Sequence, residues 1–73
     1  MSWPNKITLN NIHPYPTYRY WDFWENIAVL EKWCLNNLSS KGVLWISKDN
    51  YYSSDFYFAQ SQDAVMFRLS NGV

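Results

Sequence analysis

The segment from Tyr20 to Leu38 limits the fold most. Phe23, Ile27, Leu30, Cys34 and Leu38 recur there at intervals of four, three, four and four residues. That spacing stacks them on one side of an α-helix, and an apolar side of this kind has to be buried against another element. Glu25, Lys32 and Asn36 fall on the opposite side, with Trp21, Trp24 and Trp33 on the flanks. Asp22 followed by Glu25 fits a capping-box start. Ser39-Ser40-Lys41-Gly42 ends the helix, with Gly42 as the point of chain reversal.

The neighbouring segments supply what the helix packs on. Lys6-Ile7-Thr8-Leu9-Asn10 alternates polar and apolar, the period of a half-buried strand with Ile7 and Leu9 inward. The connection that follows contains His13-Pro14-Tyr15-Pro16, whose prolines keep it extended. Val43-Leu44-Trp45-Ile46-Ser47 is an apolar run of β-forming residues and predicts a second strand. Asp55-Phe56-Tyr57-Phe58-Ala59 predicts a third, joined to the second by a hairpin with a long loop over 48–54.

The tail reads in two ways. Ser61 caps a helix over 62–69 that buries Ala64 and Phe67 with help from Val65. Read with period two, Val65, Phe67 and Leu69 line one side of a fourth strand instead. The Ser-Gln-Asp start favours the helix, and Asn71-Gly72 closes it. The resulting order, β-α-β-β-α over residues 1–73, is an α+β domain and a partial ferredoxin-like unit. Its sheet has three strands, the first two parallel and the third between them, with both helices on one face.

Composition excludes several functions. One cysteine cannot build a disulfide framework or a zinc site needing several thiolates. No apolar run reaches the roughly 18 residues of a membrane span, and no signal peptide precedes the domain, so the reading is cytoplasmic with no membrane partner. Six basic and six acidic residues cancel, which argues against binding nucleic acid mainly through its phosphates. The only glycines are Gly42 and Gly72, too few for a phosphate-binding loop. His13, the sole histidine, reads as a turn residue, and Cys34 as a small buried hydrophobe. Asp22, Glu25, Glu31, Asp49, Asp55 and Asp63 are scattered; Asp22 and Asp63 fit helix starts and Asp49 a turn, no spacing suggests a pair for acid–base work, and Asp49, Asp55 and Asp63 are not read as a metal cluster. The expectation is a protein without catalysis, cofactor or metal.

The rings point elsewhere. Five Trp, six Tyr and four Phe are more than a core of this size encloses, so some belong at the surface, where they mark an interface. Strand alternation turns Ile7, Leu9, Leu44, Ile46, Phe56 and Phe58 toward the helices and Thr8, Val43, Trp45 and Tyr57 away from them. The predicted partner-binding anchors are Trp3, Trp45, Tyr51, Tyr52 and Tyr57, with Trp21 and Trp33 as second choices. A homodimer burying the open sheet face across a two-fold axis fits such a surface. A competing reading has Trp45 and Tyr57 stack bases of a nucleotide or single strand while Lys6, Lys48 or Arg68 meets phosphate. The plainest reading has the rings merely stiffen a small sheet by cross-strand pairing, and a third function is that of a small structural or virion-associated protein.

Asp55-Phe56-Tyr57-Phe58, a short polar gap and then Asp63-Ala64-Val65-Met66-Phe67-Arg68-Leu69 resemble a pattern in small uncharacterised proteins of tailed phages, including marine cyanophages. That pattern pairs an aromatic strand with an Asp-Ala-x-x-Phe-x-Leu helix. The upstream aromatic helix and the Gly42-Val43-Leu44-Trp45-Ile46 strand are similar in kind. The resemblance implies a protein that acts by binding: blocking a host enzyme, adapting a host machine or neutralising a defence system. Some such proteins sequester signalling nucleotides as oligomers. It implies structural roles for Asp63 (cap), Ala64 (close helix–sheet contact), and Phe67 and Leu69 (core).

Overall fold

A computed structural model describes residues 3–10 and 20–73, with side chains described from Phe23 onward in the first helix. The expectations for His13 and its prolines, for Trp21 and for Asp22 lie outside the described residues and side chains. The elements are β1 (Asn5–Asn10), α1 (Tyr20–Asn37), β2 (Trp45–Asp49), β3 (Ser53–Phe58) and α2 (Ser61–Asn71). The sheet order is β1-β3-β2, and β3 is antiparallel to both neighbours. The β-α-β-β-α order and the α+β class therefore stand as read from the sequence.

One core joins all five elements. Ile7, Phe23, Ile27, Leu30, Cys34, Trp45, Phe56, Phe58 and Phe67 are buried together. Phe67 of α2 is the hub, with ring centroids 4.9 Å from Phe56, 5.1 Å from Phe58 and 5.8 Å from Trp33. It thus ties α2 to the sheet and to α1 at once. Outside the core, Ser47 Oγ donates to Glu31 Oε2 at 2.7 Å and fastens β2 to α1. Lys41 Nζ lies 3.7 Å from the same carboxylate.

Turn chemistry sets the ends. Gly42 has φ +97 and Gly72 φ +67, conformations that cost an L side chain about 1 kcal/mol. Gly72 closes α2 by donating its N–H to the Arg68 carbonyl at 2.9 Å, as a left-handed C-terminal cap does. At the other end of α2 the cap falls on Gln60, whose side chain makes no capping bond. Ser61 is instead the first helical residue and Asp63 sits in the first turn, where its charge suits the helix dipole.

The structure corrects four details. β2 begins two residues later than the sequence suggests, and β3 begins two residues earlier. The hairpin is consequently tight: Asn50 N–H donates to the Ser53 carbonyl at 2.8 Å, and Ser54 Oγ donates to Asp49 Oδ1 at 2.8 Å. Residues that look like loop by composition are satisfied within the ladder. The faces of β2 are also inverted. Trp45 lies opposite Phe58 and Ile46 opposite Tyr57, so Trp45 points into the core and Ile46 points away. In α2, Val65 and Leu69 are 55 % and 80 % exposed, so neither is a core residue.

Candidate interaction surface

The sheet face that neither helix covers carries three rows of side chains. Lys6, Tyr57 and Ile46 form one row; Thr8, Asp55 and Lys48 form the next. Asn10 and Ser53 lead to the hairpin tip. Directly opposed residues on neighbouring strands share a face, which fixes these rows.

Polar contacts fill the middle of this face. Asp55 stands on the central strand and is buried. Thr8 Oγ1 donates to Asp55 Oδ1 at 2.7 Å and Asn50 Nδ2 donates to Oδ2 at 3.3 Å. Lys6 Nζ lies 3.9 Å from Oδ2 and 5.8 Å from the centroid of the Tyr57 ring. The carboxylate is therefore engaged on both oxygens by β1, the hairpin turn and an ammonium group. Such a closed network fixes the face. Sequence reading gave Asp55 no role; its signal was a charged residue directly before core Phe56 on the central strand, where a buried carboxylate needs partners.

Of the five predicted anchors, the structure withdraws one. Trp45 is 1 % exposed: its ring stacks on Phe56 at 6.2 Å and its Nε1–H donates to the Ser39 carbonyl at 2.9 Å. The indole has found both an apolar slot and an acceptor, the two conditions for burying Trp. Val43 to Ile46 are all apolar, which gives no period to decide whether Trp45 or Ile46 turns inward, and the larger one took the core. Trp3 and Tyr57 are half-buried. Among the second choices, Trp33 is half-buried between α1 and Phe67.

Among the described residues, Tyr51 and Tyr52 are the most exposed rings. They are 72 % and 61 % exposed and meet edge to face with centroids 4.4 Å apart. They occupy the two central positions between Asn50 and Ser53, the place where hairpins favour Asn-Gly or Gly pairs with φ above zero. No described non-glycine residue has positive φ, so this turn is not of that favoured kind. The tip thus holds two bulky side chains that neither the core nor the turn requires. It lies at the end of the open face, past Asn10 and Ser53, so the tip and the face form one continuous surface.

The three aspartates weighed as a cluster stand apart. Asp49, Asp55 and Asp63 point to different places: Asp55 lies on the open face, Asp49 bonds Ser54, and Asp63 is buried in α2 with Oδ2 lacking a hydrogen-bond partner. Among the described residues, no group of three His, Cys, Asp or Glu is placed to hold a metal. Cys34 is fully buried, and its thiol is pushed up to about 12, chiefly by burial and secondly by the Glu31 charge. A thiol held protonated is a poor nucleophile. No described helix is long and apolar enough to cross a membrane.

No protein-family model matches the chain, and searches of curated proteins and of solved structures return no significant match.

Proposed function

We propose that this chain is a small non-enzymatic binding protein of the kind tailed phages make, which inhibits or redirects a host component in the host cytoplasm by direct protein contact. The observation that carries this reading is the Tyr51–Tyr52 tip. Tyrosine brings large, rigid, amphipathic contact area at low entropic cost, as in binding loops generally, and anchors of this type dominate interface energetics. A protruding aromatic tip beside a face fixed by hydrogen bonds is a pre-organised contact surface. Tyr57 and Ile46 extend it, and Trp3 is a peripheral contributor.

The nucleotide-binding alternative has less support. Stacking on Tyr57 would need a cation for the phosphate; Lys6, which sits beside that ring, is already engaged by Asp55, and that leaves Lys48, one row away on the same face. With Trp45 in the core, the open face also offers one stacking ring rather than two.

The test is affinity capture from bacterial lysate with the wild type and a Tyr51→Ser/Tyr52→Ser double variant, at low and at high salt. The expected result is a discrete partner that the wild type retains at high salt and the double variant loses, with both proteins giving the same circular dichroism. Equal recovery by the two proteins would overturn the reading. Capture of nucleic acid that collapses as salt rises would favour the alternative.

A further inference from the structure

We infer that the outer edge of β1 is a self-association site, at which a second copy of this chain adds its own β1 antiparallel to the first. The starting point is that the sheet's two edges are treated differently. At β2 the preceding turn folds back over the strand: Gly42 N–H donates to the Trp45 carbonyl at 2.8 Å, on the side away from β3. Charged Lys48 and Asp49 then end that strand, and such devices discourage pairing. At β1 the pairing with β3 runs through six consecutive residues without a bulge. Among the described residues, nothing pairs with its other edge. The strand contains no proline, and Lys6 is its single charge.

Hydrogen-bond parity identifies the exposed groups. Ala59 N–H donates to the Leu44 carbonyl, so odd residues of β3 turn their backbones toward β2 and even ones toward β1. Ser54, Phe56 and Phe58 therefore bond Leu9, Ile7 and Asn5. That leaves the backbones of Lys6, Thr8 and Asn10 directed outward, a row of donors and acceptors that no described residue pairs with.

The strand is complementary to itself. Opposed residues must share a face for the sheet to continue. A two-fold axis at Thr8 meets that condition and lets each outward residue pair, Thr8 with Thr8 of the partner subunit and Lys6 with Asn10 of the partner subunit. On the inner face Ile7 comes to lie opposite Leu9 of the partner subunit, and Leu9 is only half-buried within one chain. No like charges meet directly, and at zero net charge the copies do not repel as wholes. Helix position fits as well. α2 lies over β1 and β3, so a strand spacing of about 4.8 Å sets the two α2 axes about 10 Å apart, the distance at which helices pack. The contact would thus extend from the strand edge into the helical layer, and the open face would widen into a six-stranded platform with a hairpin tip at either end.

The experiment is amide hydrogen exchange on the wild-type protein, read residue by residue by NMR at dilute and at roughly millimolar concentration, with mass by light scattering alongside. The expected result is a concentration-dependent dimer in which the amides of Lys6, Thr8 and Asn10 slow by about tenfold or more. Those of Ile7 and Leu9 are protected at both concentrations. Thr8→Lys would weaken association by about tenfold at low salt, because two ammonium groups would face each other at the axis, while within one chain the new charge faces Asp55. Most of that loss would return at high salt, where the repulsion is screened. A strict monomer overturns the inference. So does a dimer in which the Lys6, Thr8 and Asn10 amides exchange as in the monomer, since it would use another surface.

Discussion

Cys34 shows how position changes the chemistry of a residue. Its place in the helical stripe buries it completely, and burial beside Glu31 raises the thiol from its ordinary value near 9 to about 12. A raised folded pKa contributes stability below the unfolded pKa that is lost as pH climbs toward the folded one. Unfolding free energy should therefore decline between about pH 9 and pH 12, by on the order of 1 kcal/mol per pH unit, and urea titrations of Cys34→Ser should lack this component. A thiol reagent should likewise label the native protein only as fast as it unfolds. Trp45 and Tyr57 make the opposite pair. Trp45→Ala removes a buried ring and strands the Ser39 carbonyl, and should cost about 3–5 kcal/mol. Tyr57→Ala, on the uncovered face, should cost about 1 kcal/mol. Denaturant melts of the two variants separate a core ring from a surface one.

At the scale of elements, the turns carry the testable chemistry. A Cβ added at Gly42 would meet nothing within 4 Å, so Gly42→Ala should cost only its backbone strain, about 1 kcal/mol. Gly42→Asn should cost less, and thermal melts would rank the two. The hairpin offers a sharper separation of folding from binding. Replacing Tyr51-Tyr52 with Asn-Gly supplies residues that hairpin turns favour, so the midpoint of thermal unfolding should hold or rise while partner capture is lost. A local turn rule broken at exposed positions is where function is expected to reside. The reverse outcome, a collapsed melting temperature with capture intact, would make the tyrosine pair a structural clasp.

At the scale of the whole molecule, Phe67 joins both helices to the sheet. A domain of this length has roughly 4–10 kcal/mol of stability in total, and Phe67→Ala should remove about 3–5 kcal/mol of it. Because one core serves every element, loss should be cooperative: tryptophan fluorescence and far-ultraviolet circular dichroism should fall together in urea, with a midpoint well below that of the wild type. Transitions at different urea concentrations would mean that α2 can leave the sheet independently.

The sequence by itself determined the first four elements and their order, and left the tail open between a helix and a fourth strand, which the structure decides for the helix. The four-three-four-four stripe made α1 amphipathic, the alternation of Ile7 and Leu9 made β1 half-buried, and Phe56 and Phe58 set the inner face of β3. These are local periodicities, and local periodicity survives into the fold wherever one side of an element is apolar and the other is not. β2 lacked that contrast. In Val43-Leu44-Trp45-Ile46-Ser47 both parities are apolar, so only tertiary structure could decide that Trp45 goes inward, where Phe56 offers a stacking surface and the Ser39 carbonyl an acceptor. The same holds for Asp55, whose partners Lys6, Thr8 and Asn50 come together only when β1 and the hairpin flank β3. It holds for α2 too, where one face suffices for burial through Phe67 and leaves Val65 and Leu69 in solvent. Periodicity fixes which residues share a side; which side is buried depends on what the rest of the chain brings against it.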